Sequence, residues 1–81
     1  MTDLLPQIDD IRSLEHKLQQ QKAPHQRLIL LDRLLAYYTY TNPQRAKVLL
    51  AEQSALIRTH PNADVELNFH LYSAIVENQL Y

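Results

Sequence analysis

Not one of the 81 residues is glycine. Glycine takes positive φ without a steric penalty, and tight β-hairpins and phosphate-cradling loops both lean on it. Its absence steers the chain away from sheets and nucleotide loops, toward helices joined by turns that proline and asparagine can make. Cysteine is absent as well, so a disulfide framework, a thiolate metal site and a cysteine nucleophile drop out together. With 46% hydrophobic and 21% charged residues, and no low-complexity tract, the chain reads as a folded segment. One domain of this length buries only about 60–65% of its unfolded surface, so its stability is narrow.

Apolar residues recur at intervals of three and four, the spacing that lines one side of an α-helix. Leu4, Ile8, Ile11, Leu14 and Leu18 form the first stripe, predicting a helix from about Asp3 to Gln21. Asp3 is its candidate N-cap, and Pro6 falls in the tolerant first turn. Pro24 suits the first position of a second helix, where its missing amide hydrogen costs nothing. Leu28, Leu31, Leu34, Leu35 and Tyr38, widened by Leu30 and Tyr37, make that helix the one expected to be covered on more than one side. Asn42-Pro43 pairs a capping side chain with a preset helical φ and opens a third helix, carrying Ala46, Leu49, Leu50 and Ile57 until His60-Pro61. Asn62 caps a fourth, striped by Val65, Phe69, Tyr72, Val76 and Leu80. Short connections force neighbours to run antiparallel, as a stack or a bundle.

The chain also echoes itself. Leu31, Leu34, Leu35 and Tyr38 reappear 38 positions later as Phe69, Tyr72, Ser73 and Val76, with Ala36 matched by Ala74. Stacked helical hairpins generate such spacings, because one hairpin cannot bury its apolar face alone. Pro43 maps onto Tyr81, so the second unit reaches its turn there. The expectation is the opening of an array within a longer regulatory protein. Its last helix would expose an apolar face at Tyr72, Val76 and Leu80 and associate through it.

From Leu31 to Gln53, LDRLLAYYTYTNPQRAKVLLAEQ resembles a tetratricopeptide repeat. Leu31 stands for the family's bulky residue, Leu34 for its large apolar one, Tyr38 for its aromatic, and Ala46 for the alanine opening the partner helix. Leu35 replaces the usual small residue, which implies a wider crossing. In the second unit Phe69 and Tyr72 fill the large positions, Ser73 the small one and Val76 the aromatic one, while Tyr81 meets the inter-helix aromatic position. The alanine usual later in the partner helix falls near Gln53 or Ser54, and Pro61 stands for the proline that follows it. The period is longer than the family's typical value of about 34.

The resemblance covers Gln26 to Tyr81. It implies an all-α fold of about four helices, antiparallel hairpins stacked as a right-handed superhelix. Residues 1–22 would form a capping helix; residues 23–81 would form one full repeat plus the first helix of the next. The implied concave face is lined by Asp32, Ala36, Thr39, Tyr40, His70, Ala74, Glu77 and Asn78, and it would bind a protein or peptide or mediate self-association. The family's clamp for a terminal carboxylate is not supported, because Asp32 and Ala36 occupy the matching places.

Eight basic and nine acidic residues leave a net charge of −1, with the bases scattered singly. Nucleic-acid binding needs a concentrated positive face. No apolar run approaches the roughly 20 residues that span a bilayer, and the N-terminus carries acids where a secretory leader carries bases, so a cytoplasmic protein without membrane partners is expected. His16 in SLEHKLQQ resembles the site of histidine phosphotransfer four-helix bundles. That family continues into lysine and glycine, whereas here Lys17 precedes Leu18, which favours a solvent-facing histidine. His60, Asp64 and His70 lack metal-ligand spacing, and no serine, threonine or carboxylate pair is set up for catalysis. No enzyme activity, metal or cofactor is expected. The near-heptad spacing of Leu4, Ile11, Leu14 and Leu18 leaves a third reading, a simple helical dimerisation domain.

Overall fold

The computed structural model describes the backbone of residues 8–80 and the side chains of residues 10–79. Four α-helices account for nearly all of it: α1 (Ile8–Gln20), α2 (Pro24–Thr41), α3 (Pro43–Thr59) and α4 (Ala63–Leu80). There is no strand among the described residues. The expected Asp3 cap, the Pro6 position and the role given to Tyr81 lie outside them.

Each joint has a local cause. Pro24 opens α2. Asn42 is the single residue between α2 and α3: its amide donates to the Tyr38 carbonyl at 2.8 Å, while its side-chain oxygen accepts from the Arg45 amide at 3.1 Å. One asparagine thus satisfies orphan groups of two helix ends. His60 closes α3 by donating its amide to the Leu56 carbonyl at 2.8 Å. Asn62 Oδ1 accepts from the amides of Asp64 and Val65 at 3.1 and 3.2 Å. No described residue has positive φ, so the joints work without the conformation that glycine supplies.

The helix α2 is the centre. Leu28, Leu31, Leu34 and Leu35 are fully buried, and α2 packs against α1, α3 and α4, while α3 also packs against α4. The contiguous core takes Ile11 and Leu18 from α1, Leu31, Leu34 and Leu35 from α2, Ala46, Leu49 and Leu50 from α3, and Val76 from α4. Backbone contact of α1 is confined to α2, so the four helices do not close into a ring. The envelope measures 38 × 33 × 21 Å. Its short axis is about two helix diameters, a two-layer slab with open sides.

Side chains tie α1 down where its backbone does not reach. Glu15 accepts from Arg45 of α3 at 2.6 and 3.0 Å and from the Tyr38 hydroxyl of α2 at 2.8 Å. Arg27 donates to the Leu18 and Gln21 carbonyls at 2.6 and 2.7 Å and pairs with Glu52 of α3 at 2.6 Å. That guanidinium caps the C-terminal end of α1 and links three helices at once.

Candidate interaction groove

The residues assigned to one concave face divide into several environments. Asp32 on α2 turns to α4, where its Oδ2 accepts from Asn68 Nδ2 at 3.4 Å and its Oδ1 is buried without a hydrogen-bond partner. Burial raises the Asp32 pKa, opposed by the Asn68 hydrogen bond and the charge of Arg33. Burial also raises the Tyr72 hydroxyl pKa, with Asp32 and Tyr40 adding to it. Ala36 and Tyr40 are exposed, Tyr40 at 61%. Thr39 is not on a surface at all: it is fully buried and its hydroxyl has no partner.

On α4 the rotation differs from that expectation. Asn68 meets α2, and Glu77, nine residues on at about 100° per residue, stands on the opposite side of the helix. His70, Ala74 and Asn78 are exposed on the outer side. They do not join Asp32 on one face, because the α4 side chain that meets Asp32 is Asn68, with Tyr72 one turn on.

The apolar face expected to be exposed at Tyr72, Val76 and Leu80 is not exposed at Tyr72 and Val76. Val76 is 2% exposed and belongs to the core, Tyr72 is half-buried against it, and the Leu80 side chain lies outside the described residues. The large apolar residues exposed on the described part of α4 are instead Leu67, at 71%, and Leu71, at 55%. Core demand explains the exchange: α4 turns Val65 and Val76 inward to meet α2 and α3, which leaves the leucines facing out.

Between α3 and α4 runs an open groove of about 400 Å³. Lys47, Leu50, Ala51 and Ser54 form its α3 wall; Phe69, Ser73, Val76 and Glu77 form its α4 wall. Its floor is apolar, Ala51, Ser54 and Ser73 are small enough for a backbone to approach closely, and charges stand at the margins. Leu35, the residue that Ser73 echoes, is fully buried, whereas Ser73 lines this open groove. A shallower depression of about 330 Å³ lies between α1 and α2, with Lys17 and Arg33 at its edge and Ile29 and Leu30 beneath.

His16 is exposed on α1. His60 has its ring against His25, centroids 5.2 Å apart, rather than against Asp64 or His70. No described helix is long and apolar enough to cross a membrane. Sequence reasoning missed the α3–α4 groove because its lining mixes residues of two helices, and only the small residue at Ser73 signalled it. Compared with family models, curated proteins and solved structures, the chain matches none.

Proposed function

We propose that the chain is a protein-interaction module of the tetratricopeptide type, stacked right-handedly, whose α3–α4 groove accepts an α-helical segment of a protein. The observation that carries this reading is the contrast between Leu35 and Ser73: the first is covered by its neighbours, and the second, its echo, lines an uncovered channel. In a stack of hairpins the next helix lies over that channel. An apolar floor, small wall residues and charged margins suit an amphipathic helix laid lengthwise.

The chain has no cysteine, so Ser73→Cys introduces a single thiol within these residues for a thiol-linked photocross-linker. Protein labelled there is expected to form adducts with a protein partner in extract from its native cells, and protein labelled at exposed Arg12→Cys is not. Equal yields at the two positions, or none at Ser73→Cys, would remove the groove as the binding surface.

A further inference from the structure

Resting on the reading above that the α3–α4 face is the binding surface, we infer that what covers this face is the same face of a second copy of this chain, helix on helix across the channel, related by a two-fold axis running along it. The charges on the two helices carry the inference. On the α3 side stand Lys47 and, eleven residues later, Arg58; on the α4 side stand Glu66 and, eleven residues later, Glu77. Eleven residues are about three helical turns, so the two bases share one edge of α3 and the two acids share one edge of α4. All four are exposed, and none is in an ion pair among the described residues.

Because α3 and α4 are antiparallel about the turn near Pro61, Lys47 is level with Glu77, both lining the groove, and helical register puts Arg58 level with Glu66 beyond the groove, toward the turn. A two-fold axis parallel to the helices exchanges the two walls while preserving level along the axis. It lays α3 on the partner's α4, placing Lys47 opposite the partner's Glu77 and Arg58 opposite the partner's Glu66, each twice over. Such an isologous contact is self-complementary in charge along its whole length. Beneath the charges, Ala51, Ser54 and Ser73 let the helices approach, and the product is an antiparallel four-helix interface.

Charge reversal tests this without touching the core. By sedimentation velocity at up to about 300 µM, above the micromolar Kd that suits a small interface, the wild type is expected to dimerise. The variant Lys47→Glu/Arg58→Glu and the variant Glu66→Lys/Glu77→Lys each weaken self-association about 100-fold through like-charge opposition. Mixed in equal amounts, the two variants regain a dimer, since each then faces its complement. A monomeric wild type, dimeric variants, or a mixture that stays monomeric would each overturn the inference, provided circular dichroism shows the helices intact; if the variants unfold, Lys47→Gln/Glu77→Gln serves instead, with self-association weakened about tenfold and an unchanged dimer as the overturning result. A monomeric wild type whose Ser73→Cys adducts contain a different protein refutes the second copy and leaves the interaction module standing. Absence of adducts at Ser73→Cys removes both.

Discussion

Glu15 and Asp32 are partly buried carboxylates that tilt stability with pH in opposite directions. Burial pushes the Glu15 pKa up, but hydrogen bonds from Arg45 and Tyr38 and the Arg45 charge outweigh it and leave it lowered. Its contribution is present above its unfolded pKa and lost as pH falls through the lower folded value. Asp32 is raised chiefly by burial, so its contribution is present below its unfolded pKa and lost as pH climbs through the folded value. Urea unfolding from about pH 3 to 7, spanning the carboxylate range, should show wild type gaining on Glu15→Gln as pH rises and losing ground to Asp32→Asn. Gln53 is a different case. Its amide is fully buried and neither polar atom has a hydrogen-bond partner, so desolvation opposes folding without return. Gln53→Met, similar in length and apolar, is expected to stabilise the fold by about 1–3 kcal/mol, read as a higher urea midpoint at unchanged slope. Hydropathy could not place Gln53 and Thr39 inside, because polar residues enter a core only when neighbours cover their helix from several directions.

Helix boundaries were legible because their causes are local. Pro24, Asn42-Pro43 and Asn62 each act on the turn beside them, and the helices start where those residues dictate. The rotation of α4 was not legible: the resemblance put His70 and Glu77 on one concave face with Asp32, whereas the α4 residue that meets Asp32 is Asn68, since rotation follows from packing against α2 and α3 rather than from spacing within α4. The helix most dependent on side-chain ties is α1, whose backbone contacts only α2. Arg27→Ala would delete its hydrogen bonds to the Leu18 and Gln21 carbonyls and the pair with Glu52, at a cost of about 1.5–3 kcal/mol. Hydrogen exchange should then quicken in α1 before α2 and α3. Arg27→Lys should recover little of this, because an ammonium lacks the planar fork.

At the scale of the molecule, the four-helix all-α composition followed from missing glycine and recurrent leucines, while the open side of the slab depended on how all the elements pack. If that side closes against a second copy, unfolding and dissociation are linked by mass action. The melting temperature of the wild type should rise with protein concentration, and that of Lys47→Glu/Arg58→Glu should stay flat; calorimetry over a hundredfold dilution separates the two. The joint at Asn42 has a consequence in time as well. With one residue between α2 and α3, two helices that supply six residues of the contiguous core meet at short separation along the chain, so little entropy is lost in closing the loop. The α2–α3 hairpin is therefore the natural nucleus, and a ribosome that has released these two helices has already released the part of the molecule on which the others condense.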